Sequence, residues 1–393
     1  MQRMRTEVGI VGAGPAGLML SHLLHLAGIA SVVLEARSRA YVEGRIRAGV
    51  IEQGTADLLI ETGLGERMRH EGLIHHGINL RFGGRTHRID LSGLTGGRAV
   101  TVYGQQEVVK DLIAARLATG GEILFEAEEV SLCEIDSTAP RIRFRAGGKA
   151  REIACDFIAG CDGWHGVCRP SIPERRLTVF ERDYPFAWLG ILAEATPAAH
   201  ELIYSNHERG FALLSMRSPT LCRYYLQCVP DEDLAAWPDE RIWRELQTRT
   251  AAEPDFRLSE GPILQKGVAP MRSFVVEPMQ HGRLFLAGDA AHIVPATGAK
   301  GMNLAIADVR VLAQALAAFY EAGRTDLLEG YSATCLRRVW RAQRFSWWMT
   351  SLMHRFEGDA FARHLQRAEL DYLVGSRAAA AALAENYVGL PFD

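Results

Sequence analysis

Val8-Gly9-Ile10-Val11-Gly12-Ala13-Gly14-Pro15-Ala16-Gly17 decides the fold of this chain. An apolar strand runs into Gly12, which permits a tight turn; Gly14 lets the backbone approach a pyrophosphate, and Gly17 allows a helix to pack close to the strand. Pro15 to Ala27 has apolar helical spacing, so its N-terminus would offer N–H donors to phosphate. Ser31-Val32-Val33-Leu34 reads as a second strand, and Glu35, 23 residues after Gly12 (35 minus 12), stands where a carboxylate accepts from ribose hydroxyls. Strand, turn, helix, strand and acid in this order predict a βαβ dinucleotide unit. The unit alone does not separate FAD from NAD.

The rest of the composition bounds what that unit belongs to. At 393 residues, 48% hydrophobic and 23% charged, the chain is long enough for two or three cores and ordinary for a soluble globular protein. Its 44 basic and 47 acidic residues leave a net charge of −3, with no basic surplus to attract nucleic acid or an anionic membrane. The apolar run after Glu7 is too short for a signal-peptide core, and no stretch is expected to span a membrane. Phe345 to Met353, broken by polar residues and flanked by arginines, reads as a buried or interface helix. Seven scattered cysteines without a C-x-x-C pair read as reduced thiols, and no metal site is expected. These features suit a cytoplasmic protein.

Downstream, the pattern changes twice. From Phe186 to Val229 residues alternate, as in Arg223-Tyr224-Tyr225-Leu226-Gln227, which suits a mostly antiparallel sheet. Arg283-Leu284-Phe285-Leu286-Ala287 returns as a buried strand, and everything after Gly301 has helical spacing. The expected fold is mixed α/β. A Rossmann-like nucleotide-binding domain (1–180 and 270–310) is interrupted by an antiparallel-sheet substrate domain (181–269), and a helical C-terminal region (311–393) follows.

Two later motifs refine the cofactor. Cys161-Asp162-Gly163 and Gly288-Asp289-Ala290-Ala291-His292-Ile293-Val294-Pro295 are each weak alone, since such pairs are usually turns. Together with the opening glycines, and in this order, they resemble the single-component aromatic hydroxylases that use FAD. The longer stretches Gly44–Val50, Val102–Gln105, Phe274–Gly282, Arg344–Thr350 and Glu385–Pro391 resemble the members of that family that act on 4-hydroxybenzoate. The resemblance runs from Val8 to Pro391. It implies flavin contacts at Gly12, Gly14, Ala16, Gly17, Glu35, Arg45, Arg47, Gln105, Asp162, Asp289, Thr297, Gly298, Met302 and Asn303.

The substrate end follows from chemistry as well as from the resemblance. A buried benzoate carboxylate needs a bidentate cation, and Leu214-Ser215-Met216-Arg217 offers a guanidinium with a hydroxyl on the same strand face. Arg217 is the expected clamp, with Ser215 and Tyr225 as auxiliary donors. A 4-hydroxyl must lose its proton to activate the ortho carbon, and the resemblance implies that Tyr204 binds this oxygen and that Tyr387 and His75 continue a proton relay. It further implies reduction of FAD by NADPH or NADH, and oxygen transfer from O₂ through a C4a-hydroperoxyflavin to give 3,4-dihydroxybenzoate. Arg223 is implied to touch the swung-out flavin. A homodimer through the helical C-terminal region is also expected.

Two positions depart from the family pattern. Ala296 stands where a second proline is usual; it keeps the backbone carbonyl that faces the substrate hydroxyl but loosens its φ. An Ala296→Pro variant should narrow tolerance for substituted rings, and unchanged relative rates on substituted benzoates would count against this. Ala36 replaces an arginine usual in the segment implied to meet the NADPH 2′-phosphate. Arg37, Tyr41, Arg47, His165 and Arg272 remain as expected pyridine-nucleotide residues, so NADPH is favoured and NADH stays open. Two other readings also stay open: a hydroxylase of another benzoate, such as 4-aminobenzoate, and a non-oxygenating FAD-dependent dehydrogenase or flavin carrier.

Overall fold

The computed structural model describes residues 2–47, 49–253, 255–358 and 360–392. Ala48, inside one of the family-like stretches, lies outside them.

The opening segment folds as its sequence dictates. Val8–Val11 and Ser31–Leu34 are fully buried parallel strands joined by the helix Pro15–Leu26. They sit in a six-stranded sheet in the order Gln280–His281, Leu284–Leu286, Phe157–Gly160, Val8–Val11, Ser31–Leu34, Glu122–Leu124. All neighbours are parallel except the outermost pair, Gln280–His281 with Leu284–Leu286. Near-continuous Val, Ile and Leu runs suit strands covered on both faces. The helices Pro15–Leu26 and Gly301–Ala322 share one hydrophobic core with these strands.

The second sheet has eight strands, in the order His292–Ile293, Ile263–Glu277, Thr178–Glu194, Leu221–Cys228, Ala212–Ser218, Ile203–Ser205, Gly77–Phe82, Arg85–Asp90. Its pairs are antiparallel apart from Ile203–Ser205 with Gly77–Phe82. This sheet reaches beyond the expected 181–269 segment, because the hairpin Gly77–Asp90 and the long strand Ile263–Glu277 complete it. Alternation fixes its faces: Leu214, Met216, Tyr224 and Leu226 pack on one side, while Tyr204, Leu213 and Trp188 face the other. The helices Tyr331–Met353, Ala360–Gly375 and Arg377–Val388 cover part of that second side.

By length and composition alone the helix Gly301–Ala322 could cross a membrane, with a mean hydropathy of 1.4, which corrects the expectation that no stretch qualifies. It is a core helix, with 61% of that window buried in the protein. All seven cysteines are free thiols.

Candidate active site

The dinucleotide turn is shaped so that side chains are excluded where the chain doubles back. Gly12 has φ +105°, and a Cβ there would lie 2.3 Å from the Cys161 carbonyl oxygen. At Gly17 a Cβ would meet the Gly12 carbonyl at 2.0 Å. Gly14, by contrast, has nothing within 4 Å of its Cβ position, so its backbone faces open space at the helix start, beside Ala16 in the first turn. The Glu35 carboxylate is fixed by two backbone donors, the N–H groups of Ala13 and Arg37, each at 2.8 Å. Open space, free helix N–H groups and an oriented carboxylate are what a dinucleotide requires. The residues present therefore fit FAD.

Further along the same cleft, Asp289 sits exposed in the one-turn helix Gly288–Ala290. Its turn is braced from beneath by Asp308, which accepts from the Gly288 N–H at 2.9 Å and pairs with His292 at 2.6 Å, both side chains being 1% exposed. Burial opposes a charge on His292, but the Asp308 carboxylate outweighs it and raises the pKa. Arg47, close enough to feel Asp289 and Tyr225, and Arg45, over the Tyr41 ring at 6.0 Å, follow the helix Arg39–Gly44. Gln105 opens the helix Gln105–Ala118. Thr297 and Gly298 are buried in the turn Ala296–Gly298, ahead of Met302 in the helix Gly301–Ala322, while Ala296 is exposed at its start.

Two expected flavin contacts differ in orientation. The Asp162 carboxylate turns under its own loop and accepts from the Cys168 N–H at 2.8 Å; a Cβ at Gly166 would strike it at 2.0 Å. The Asn303 amide is occupied, donating to the carbonyls of Val50 and Ala299 and accepting from the Glu52 N–H, all at 3.0 Å. Asn303 therefore ties a strand to a helix start, and only its backbone is left for a cofactor.

The substrate residues come together on one face of the eight-stranded sheet. Tyr204 is directly opposite Leu213, Leu213 opposite Tyr225, and Ser215 opposite Arg223. Arg217 Nη1 donates to Ser215 Oγ at 3.1 Å and Nη2 to the Arg47 carbonyl at 3.4 Å, which joins the substrate strand to the cofactor segment. Arg217 Nε and both Nε and Nη1 of Arg223 are buried without a hydrogen-bond partner. Burial pushes the Arg217 pKa down while Tyr225 beside it acts in the opposite direction. Buried guanidinium donors without acceptors are costly, so this end of the pocket is built for an anion. Gly190 makes room: a Cβ there would lie 2.7 Å from Arg223 Nη2.

At the other end the hydroxyls of Tyr204 and Tyr387 are 2.7 Å apart, both rings nearly fully buried, and burial raises both phenol pKa values. His75 departs from the expected relay. It is fully buried, its Nδ1 accepts from the Leu202 N–H at 3.4 Å, and its Nε2 has no partner, so no direct hydrogen bond joins it to Tyr387.

The pyridine-nucleotide candidates form two groups. Arg37 lies over the exposed Tyr41 ring at 5.5 Å. Arg272 lies over the Trp164 ring at 4.9 Å, beside Glu181 and Asp183, with exposed His165 next to the same indole.

Three contributors escaped the sequence reading. Trp188 walls the pocket, its ring 4.7 Å from that of Tyr225; strand alternation from Phe186 onward was the signal for it. Lys300 is buried, paired with Glu52 at 2.5 Å, and lies 5.9 Å from the centre of the Tyr387 ring. His354 has no sequence signal: it accepts from Trp188 Nε1 at 2.6 Å, so its Nδ1–H donates to the Thr350 carbonyl at 3.1 Å, and its ring stacks on Phe186 at 4.5 Å.

Burial pushes the pKa of His354 down to about 3 and that of His75 to about 4. The unfolded chain binds protons at these sites below about pH 6.5 that the folded chain rejects, so stability falls as pH drops from there towards 4. His354→Gln should flatten the dependence of Tm on pH across this window. A slope as steep as the parent's would refute the assignment.

Residues 5–346 match the FAD binding domain family, and the chain belongs to it. The chain is 51% identical over 394 residues to the p-hydroxybenzoate hydroxylase of Acinetobacter baylyi (strain ATCC 33305 / BD413 / ADP1), covering all of this chain and 97% of that protein. Among solved structures, p-nitrophenol 4-monooxygenase from Pseudomonas putida DLL-E4 matches with a TM-score of 0.84 at 21% identity, covering all of both chains. Anhydrotetracycline hydroxylase from Streptomyces rimosus matches with a TM-score of 0.78 at 23% identity, over 98% of this chain and 76% of that one. These two likenesses establish the shared fold.

Proposed function

We propose that this chain hydroxylates 4-hydroxybenzoate at the carbon ortho to its hydroxyl, giving 3,4-dihydroxybenzoate, with FAD as cofactor and NAD(P)H and O₂ as co-substrates. The observation that carries this reading is a sheet face with unsatisfied guanidinium donors at one end and the Tyr204–Tyr387 hydroxyl pair at the other. Arg217 and Ser215 hold the carboxylate, Trp188 and Tyr225 wall the ring, and the exposed Ala296 turn closes the hydroxyl end. Tyr204, kept neutral by burial, takes the substrate proton while passing its own to Tyr387. For the relay to end at His75, a bridging group would have to span from Tyr387 to its unpartnered Nε2. The Gly12–Gly17 turn, Glu35, Arg45, Arg47 and Asp289 would hold FAD, which supplies the redox and oxygen-transfer chemistry when bound. Exclusion of water by the buried pocket is the protein's contribution to coupling.

NADPH is the favoured reductant, through Arg37, Tyr41, Arg47, His165 and Arg272. Equal or better catalytic efficiency with NADH would overturn that preference. Trp340, Trp347, Leu365 and Tyr372 are large apolar residues exposed along the C-terminal region, with Phe180 against Trp340, and self-association there would cover them. Molar mass in solution tests this, with a homodimer expected, and the reading as a whole suits a cytoplasmic enzyme. The decisive test of function is oxygen and NADPH consumption by FAD-loaded protein with and without 4-hydroxybenzoate, with product analysis. Stoichiometric 3,4-dihydroxybenzoate is expected. Peroxide alone would move the assignment to another benzoate, and no stimulation at all would favour a non-oxygenating flavoprotein.

A further inference from the structure

The segment after the helix Arg377–Val388 is held by several cationic side chains. Lys300 Nζ donates to the carbonyls of Asn386 and, at 3.1 Å, Tyr387. Arg98 Nη2 donates to the Gly389 carbonyl at 2.5 Å, and Arg338 donates to those of Leu390 at 2.7 Å and Pro391 at 2.8 Å. The Phe392 ring lies under two guanidiniums, Arg310 at 4.6 Å and Arg338 at 4.8 Å, and against Gly54, where a Cβ would come within 3.0 Å of it. Gly389, at φ +90°, leaves no room for a side chain beside Glu52.

Cations near a helix C-terminus normally cap its last carbonyls. Here the helix Arg377–Val388 needs only the first of them, yet Arg338 and Phe392 act beyond its end. What the strap carries is Tyr387, whose hydroxyl must stay within about 3 Å of Tyr204 for a proton to pass. We propose that Arg98, Arg338 and Phe392 are positioning residues for substrate ionisation: by fixing residues 389–392 they hold Tyr387 at hydrogen-bonding distance from Tyr204. The inference rests on the function proposed above. It assigns part of the pocket's chemistry to side chains that line none of it.

The test uses the full-length, FAD-loaded protein and the ultraviolet difference spectrum of bound 4-hydroxybenzoate, which reports its phenolate, titrated against pH. Phe392→Ala and Arg338→Met should each raise the ionisation midpoint by about one unit, the worth of roughly one hydrogen bond, and increase peroxide at the expense of product. Binding of benzoate, which lacks the 4-hydroxyl and uses only the Arg217 end, should stay within twofold of the parent. Phe392→Tyr should behave as the parent, and Arg338→Lys, which keeps the charge but not the fork, should shift the midpoint by less than Arg338→Met. Unchanged midpoints in both disruptive variants overturn the proposal. So does a loss of benzoate affinity that matches the shift, because the damage is then general; if the disruptive variants do not fold, Arg338→Lys decides, and a midpoint equal to the parent's overturns the proposal. Failure of the parent protein to ionise 4-hydroxybenzoate would instead defeat the functional reading.

Discussion

Arg217→Ala should weaken 4-hydroxybenzoate binding by about 10²–10³-fold, roughly 3–4 kcal/mol, because it removes the charge that a desolvated carboxylate needs. The side chain is already anchored to Ser215 Oγ and the Arg47 carbonyl, so little ordering remains to be done when substrate arrives. Arg217→Lys should fall between the two, since an ammonium cannot make the planar two-point contact. FAD content should not change in either variant. Titrating the flavin spectrum with substrate measures the effect, and a dissociation constant within threefold of the parent for Arg217→Ala would remove Arg217 from the site.

Gly12→Ala should abolish stable FAD retention and lower Tm. The residue occupies φ +105°, and its new Cβ would lie 2.3 Å from a backbone oxygen of the neighbouring strand's exit, with no flexible side chain to yield. Left-handed strain and overpacking together cost at least about 3 kcal/mol. Gly14→Ala makes the informative contrast, because nothing lies within 4 Å of that Cβ. It should leave the Tm of the apoprotein unchanged and still weaken FAD binding, the signature of a glycine retained for close approach of a pyrophosphate. Equal apoprotein Tm for Gly12→Ala and the parent would sink the strain argument.

Local chemistry was legible where the chain writes it locally. The βαβ unit, the buried strand at Leu284–Leu286 and the helical end follow from periodicity and turn residues. The Ser215–Arg217 pairing is a two-residue spacing on a strand, and the structure contains it as a hydrogen bond. What sequence did not carry are relations set by tertiary packing. Nothing near Gly77–Asp90 announces that this hairpin joins a sheet made mostly of residues beyond 178. His75 reads as a relay terminus, yet the strand beside Leu202 encloses it. Lys300 and Glu52 are ordinary residues until 248 positions of chain fold to place them together, as is His354 until three aromatic rings surround it. Asp162 and Asn303 illustrate the same limit: the position is readable, while the direction of the side chain depends on its neighbours.

The order of strands in the nucleotide sheet also bears on how the protein is made. Phe157–Gly160 lies between Val8–Val11 and Leu284–Leu286, so one edge of this apolar strand waits for a partner synthesised more than a hundred residues later. At ribosomal speeds of about 5–20 residues per second that interval lasts roughly 6–25 s. During it the nascent chain exposes an unpaired, aggregation-prone strand edge while the intervening sheet is still being completed. A circular permutant that places residues 280–290 before Val8 would close the edge early, and its yield of soluble protein in chaperone-limited cells should exceed that of the natural order.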